Sequence, residues 1–277
     1  MISHIIGIKY SWHKSIYCAL TIITAINTIC GVIGFSVRDI HERLSWWACL
    51  LILLAFYVAL TIIIHRIIRH IDRQPVHLDV NGNQVEIKTG DLFLESGLKL
   101  IPFNEYFDTV VDDIIISKNT LNGLFLTRYV ENQDDLMQCL NNAPREKCIL
   151  KPVNDGDRIK YPLGRIVPYN DYLLLAFSRF NDQNEAHIDI IEYEQCLFRM
   201  WNEIRRTYSG RDVIIPLIGS GITTFDGINK KDNTSLLKCI ICTLKASGVQ
   251  LNSTIRIILM ESTRDTIDMD IIRKEFD

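Results

Sequence analysis

Residues 214–225 read "IIPLIGSGITTF". The unbroken apolar run from Ile214 to Ile218 fits a strand covered on both faces, because a strand with one wet face would alternate with polar residues. The run then breaks at Gly219-Ser220-Gly221. Glycine permits a sharp turn and leaves no Cβ to block a close approach. Such a loop aims successive N–H groups at one point and suits a phosphate, with Ser220, Thr223 and Thr224 as added hydroxyl donors. The same residues also fit a strand that merely turns. A strand buried on both faces requires helices above and below it, and the neighbouring segments supply them.

Upstream, "IIEYEQCLFRMWNEIRRTYSG" (190–210) carries apolar positions at helical spacing. Downstream, "NTSLLKCIICTLKASG" (233–248) reads as a helix and "TIRIILME" (254–261) as a strand, with a short helix at "TIDMDIIRKEF". Earlier segments repeat the pattern: strands at "QVEIKTGD" and "LKLIPFNE", a strand or buried helix at "DDIIIS", and a glycine-bearing loop at "NTLNGLF". "DDLMQCLNN" reads as a helix, and two strands flank Tyr169-Asn170-Asp171. Strands alternating with helices predict a three-layer α/β domain on a mixed sheet. Ligands of such sheets sit beyond the carboxyl ends of the strands, where Gly90-Asp91, Asn104 and the Gly219–Thr224 loop all fall.

The 277 residues carry a formal net charge of −3, so no global basic field points to nucleic acid. The mean hydropathy of +0.11 is high for a wholly soluble chain, and the excess sits in the first seventy residues. Residues 15–37, "SIYCALTIITAINTICGVIGFSV", and 44–64, "LSWWACLLILLAFYVALTIII", contain no charge. Each matches the roughly 20 residues a helix needs to cross a bilayer. Only "RDIHER" separates them, so the sequence predicts a two-helix transmembrane hairpin within residues 1–70. Trp46 and Trp47 sit where indole rings favour the headgroup level, and Lys9, Lys14, Arg66, Arg69 and Arg73 place both termini in the cytoplasm. Asn27 is a hydrogen-bonding group inside the first span. Residues 71–80 read as a linker and 81–277 as the cytosolic domain.

Other chemistry is poorly supplied. The Cys239/Cys242 pair lies in a helical apolar run with no second pair or paired histidines, so it reads as a buried helix face. No metal-ligand spacing appears. Ser220 lacks the full Gly-x-Ser-x-Gly elbow, and "GINKKDN" (227–233) reads as a polar loop.

The order "GDLF" (90–93), "IPFNEYFDT" (101–109), "NTLNGLF" (119–125) and "IIPLIGSG" (214–221) resembles the macro domain. More narrowly it resembles the divergent macro domain of type II Thoeris antiphage effectors, which is fused to a membrane hairpin. The likeness covers about residues 1–270. It implies a macro-like fold that binds an ADP-ribose-type nucleotide. Asp91 would read the adenine amino group and the amide near Leu92 a ring nitrogen. Gly219, Ser220, Gly221, Ile222, Thr223 and Thr224 would cradle the diphosphate. Asn122, Gly123 and Leu124 would approach from the other side, and Asn104 would touch the distal ribose. Glu105, Tyr106 and Asp108 would meet a group attached there, with either carboxylate suited to an amine, and Phe107 and Thr109 are assigned to the same site.

"NEYFDT" departs from the run expected of hydrolytic macro domains, so the likeness favours a sensor with no catalytic residue, metal or resident cofactor. The implied signal is histidine–ADP-ribose made by a TIR-domain enzyme that consumes NAD. The implied response is self-association and disruption of the inner membrane, causing abortive infection. The alternative is a membrane-anchored hydrolase of ADP-ribosyl adducts.

Overall fold

Alternation within the strands sets the layers of the larger unit. In the computed structural model, which describes residues 2–33, 46–113, 116–143, 151–156, 158–180, 185–227 and 231–276, the chain divides between Gln74 and Pro75. The first unit contains helices α1 (Ile2–Ile33) and α2 (Trp46–Asp72). They pack as a pair: Ser15 Oγ lies 3.3 Å from His65 Nδ1, and the Trp12 ring stacks on His65 at 4.0 Å. One turn further along each helix, Ala19 and Thr61 are buried. Residues Leu50–Ile71 form a helix segment long and apolar enough to cross a membrane by length and composition. Ser15–Gly31 is a shorter apolar segment. The ends of the predicted spans at 34–37 and 44–45, and "RDIHER" between them, lie outside the described residues.

The second unit begins with β1 (Val76–Val80) and β2 (Asn83–Thr89), an antiparallel pair. Five residues assigned from sequence to the linker therefore belong to the sheet. Val76, Leu78 and Val80 point into the core, and this alternation was obscured by the short length of the run. The remaining main strands are β3 (Leu98–Asn104), β6 (Ile166–Tyr169), β7 (Tyr172–Phe180), β8 (Ala186–Ile188), β9 (Val213–Pro216), β10 (Thr224–Phe225) and β11 (Ile255–Leu259). They form a mixed sheet in the order β1-β2-β11-β9-β3-β7-β8-β10, with β6 antiparallel to β7. Apart from this sheet, β4 (Val153–Asp155) and β5 (Arg158–Lys160) pair antiparallel as a two-stranded sheet of their own.

One face of the sheet buries Leu98, Leu100, Val213, Ile215, Ile255 and Ile257 under α5 (Ile190–Thr207) and α6 (Asn233–Ser247). The other buries Ile101, Phe103, Ile214 and Ile258 with residues of α3 (Leu121–Arg128) and α4 (Gln133–Asn142). Successive strand residues thus serve opposite layers. The three-layer α/β architecture on a mixed sheet is the one expected from sequence. Short helices α7 (Glu261–Arg264) and α8 (Met269–Phe276) follow β11.

Two local expectations change. "NTLNGLF" is a helix start and not a loop: Thr120 Oγ1 accepts the Gly123 amide as the N-cap of α3. A Cβ on Gly123 would stand 2.2 Å from the Ser117 carbonyl oxygen, so close backbone packing requires that glycine. In α6, Cys239 is half-buried and Cys242 exposed, so the pair does not form one buried face.

Candidate functional site

The parallel strands β2, β3, β9 and β11 end along one edge. Beyond their carboxyl ends lies a cavity of about 620 Å³. Its walls come from three chain breaks: Gly90–Phe93 after β2, Asn104 at the end of β3, and Leu217–Thr223 after β9. The start of α3 supplies a fourth wall through Thr120, Leu121, Asn122 and Leu124.

At one end, Asp91 Oδ1 accepts the Phe93 amide at 2.9 Å and caps a short 3-10 turn, Leu92–Leu94. Its second carboxylate oxygen has no partner among the described residues. Beside it the Phe93 ring stacks on Tyr129 with centroids 4.1 Å apart, and both rings line the cavity. A carboxylate acceptor next to a flat apolar wall suits a planar base with an exocyclic amine.

The Gly219–Thr223 loop forms the middle of the site. Ser220 spends its amide and its hydroxyl on the Leu217 carbonyl, at 3.2 and 2.7 Å. Among the described residues the amides of Gly219, Gly221, Ile222 and Thr223 donate to no acceptor. Gly219 has a φ of +87°, and a Cβ there would lie 3.0 Å from the Phe225 ring. The wall holds a single cationic side chain, Arg128, among the described residues. An anion here would therefore rest chiefly on backbone N–H groups, as in nest-type phosphate sites.

At the far end, β3 bulges against β7 between Phe103 and Asn104. The Asn104 Oδ1 accepts the amides of Tyr106 and Asp108 at 3.0 and 3.2 Å, and its Nδ2 donates to Asp108 Oδ2 at 2.7 Å. Most of this amide is consumed by its own turn. In the next residues, Glu105 is buried and pairs with Lys160 and Arg179 at 3.3 and 3.0 Å. Asp108 also accepts from Arg158, whose guanidinium covers the Tyr106 ring at 3.9 Å. Tyr106 donates its hydroxyl to Asp155 at 2.7 Å. That bond, with burial behind it, pushes the phenol up to about 12. The β4–β5 hairpin thus clamps the Asn104–Asp108 turn.

Residues 85–260 match the family described as Thoeris protein ThsA, Macro domain. The chain is also 35% identical over 281 residues to "Thoeris protein ThsA" of Bacillus amyloliquefaciens (strain Y2), covering 96% of this chain and 89% of that relative.

The chain belongs to the ThsA macro-domain family.

Solved structures of the Oceanobacillus iheyensis macrodomain are also similar. The one with ADP has a TM-score of 0.46 at 12% identity, covering 73% of this chain and 96% of that chain. A variant with ADPR has a TM-score of 0.47 at 13% identity, covering 73% and 98%.

In this ThsA macro domain the cavity brings together ten of the sixteen residues selected from sequence: Asp91, Leu92, Asn104, Asn122, Leu124, Gly219, Ser220, Gly221, Ile222 and Thr223. The other six lie off its wall. Gly123 faces the Ser117 backbone, and Glu105 and Asp108 serve the ion pairs of the hairpin. Phe107 is buried and meets Tyr161 edge to face, with centroids 4.9 Å apart. Thr109 Oγ1 donates to Met137 Sδ at 3.7 Å. Thr224 lies in β10 and donates its hydroxyl to the Ala186 carbonyl. The sequence reading also missed the Phe93–Tyr129 wall, Met260 and Glu261. Phe93 directly follows the selected Leu92, but nothing local announces its partner Tyr129, the residue that caps the end of α3.

Proposed function

We propose that this ThsA-family chain is a membrane-anchored sensor of an ADP-ribose-type signal in antiphage defence. The observation that carries the reading is the set of undonated amides at Gly219, Gly221, Ile222 and Thr223 in a loop that lines a cavity with Asp91 and an aromatic wall. A diphosphate takes the amides, and an adenine takes the carboxylate and the rings. Within this reading the signal is histidine–ADP-ribose from a TIR-domain enzyme that consumes NAD. Binding shifts the domain toward an assembled state that it stabilises by differential affinity.

The same proposal assigns residues 1–70 to two spans of the inner membrane, 71–74 to the approach and 75–277 to the cytosolic ligand-binding domain. Support comes from large apolar side chains left exposed on both helices, such as Ile29, Leu51, Leu54 and Ile63. The hydroxyls of Thr21, Thr24, Thr28 and Thr61 each donate to a carbonyl four residues earlier, at 2.8 to 2.9 Å, and so need no water. Assembly gathers these helices and disrupts the bilayer. A sensor is preferred to a hydrolase because Asn104 has its carbonyl oxygen engaged by two backbone amides and is poorly placed to orient an attacking water.

Calorimetric titration of the full chain in lipid nanodiscs with ADP-ribose and histidine–ADP-ribose, followed by chromatography of the same samples, tests this. The expected result is tighter binding of the conjugate with both nucleotides recovered intact. Breakdown of either nucleotide transfers the chain to the hydrolase reading, and absence of binding removes the sensor.

A further inference from the structure

Behind the glycine loop lies a cation that does not line the cavity. Lys231 Nζ donates to the carbonyls of Gly219 at 3.2 Å and Thr223 at 2.9 Å, and also to that of Gly221. Carbonyls of alternate residues thus converge on one ammonium. Gly219 to Thr223 line the cavity and Lys231 does not, so the loop lies between them. In a trans peptide the next N–H points opposite to the carbonyl. Holding the Gly221 carbonyl on the lysine therefore turns the Ile222 amide away from it, toward the cavity side.

The charge balance is as informative as the direction. Lys231 is half-buried, which pushes its pKa down. Among the described residues no carboxylate pairs with it. The adjacent Asp232 carboxylate is committed to the α6 cap, accepting from the amides of Thr234 and Ser235 and from the Ser235 hydroxyl. A desolvated cation satisfied by carbonyls alone leaves its positive charge uncompensated a few bonds from four undonated amides.

We infer that Lys231 is the positioning residue of this cavity. It holds the Gly219–Thr223 loop in the conformation that turns the Ile222 amide away from the ammonium and toward a diphosphate, and supplies a positive field that the ligand neutralises, without touching the ligand. The inference rests on the nucleotide reading above and adds the device that organises its anion subsite.

Titration of the full chain in nanodiscs with ADP-ribose, inorganic pyrophosphate and adenosine, for wild type, Lys231→Met and Lys231→Arg, provides the test. Lys231→Met is expected to weaken ADP-ribose and pyrophosphate about 10- to 100-fold, the scale of one hydrogen bond to a charged group. Adenosine, which has no phosphate, keeps its wild-type affinity. Lys231→Arg recovers most of the loss, because guanidinium retains the charge and the donors. Wild-type affinity for ADP-ribose and pyrophosphate in Lys231→Met overturns the role. An equal loss for adenosine also overturns it, since that marks a general collapse of the cavity. Wild-type binding of pyrophosphate but not ADP-ribose removes the nucleotide reading, and the role of Lys231 then stands or falls with the pyrophosphate loss. Binding of neither by wild type overturns both.

Discussion

Asn104 Nδ2 donates to Asp108 Oδ2 at 2.7 Å, and through that bond a residue on the cavity wall is held by one outside it. Asp108 is held in turn by Arg158 of the β4–β5 hairpin. Asp108→Ala therefore frees the Nδ2 end of the Asn104 amide without removing any cavity residue, while the two backbone amides still hold its oxygen. The expected outcome is a loss of about three- to tenfold in ADP-ribose affinity, the net scale of one ordinary hydrogen bond. Calorimetry reads the affinity, and a thermal midpoint near that of wild type shows that the fold survives.

Gly123→Ala places a Cβ where the Ser117 carbonyl already stands, 2.2 Å away. The start of α3 must shift, carrying Asn122 and Leu124 on the cavity wall with it. Overpacking of this kind costs about 1–3 kcal/mol. Denaturant unfolding should show that loss together with weaker nucleotide binding. A variant as stable as wild type would mean that the Ser117 segment yields easily.

Arg165 and Glu203 are both buried and meet at 2.9 Å beneath α5. Glu203→Ala removes the carboxylate that Arg165 and Arg206 share and is expected to cost about 3–5 kcal/mol. Replacing both partners with Arg165→Met and Glu203→Leu should recover most of that stability, because the buried guanidinium is then gone with its carboxylate. Chemical denaturation of the two variants distinguishes these outcomes.

Asp232 caps α6, the helix that covers one face of the sheet. Burial alone would raise its carboxyl, but hydrogen bonds from Ser235 and Thr234 outweigh it and hold the pKa below the ordinary range of an aspartate. A depressed folded-state pKa contributes stability above the unfolded value, and that contribution is lost as pH falls through the folded one. Asp232→Ala should cost about 1 kcal/mol at neutral pH. The gap between variant and wild type should close below about pH 4, as the wild-type carboxyl takes up its proton. A gap that stays constant down to pH 2.5, a value set by the assay, would assign the loss to packing.

Asn27 is exposed on α1 among apolar side chains. In hydrocarbon an amide seeks a partner, and another copy of the helix offers one, worth about 1 kcal/mol per contact. Asn27→Leu should lower the assembled fraction seen on ligand addition by light scattering in membranes. Nucleotide affinity in the dispersed state should be unchanged.

Much of the architecture was legible because it rests on near-neighbour periodicity. Ile214 serves one layer while Val213 and Ile215 serve the other, so the uninterrupted apolar run announced a strand covered twice. The glycine break after it announced the cavity edge, and the uncharged runs near the amino terminus announced the helix pair. Local signals failed where a residue's meaning lay in a distant partner. Gly123 looked like a loop glycine because glycine weakens helices, and only the approach of Ser117 explains it inside one. Glu105 and Asp108 looked like ligand-facing carboxylates, yet Lys160, Arg179 and Arg158 claim them. Lys231 looked like one of two lysines in a polar loop, until three carbonyls met on its ammonium. Hydrophobic pattern is written along the chain because burial depends on which face a residue occupies. The pairing of charges is decided only when folding brings separate segments within a few ångströms, where the gain from a partner exceeds the cost of leaving water.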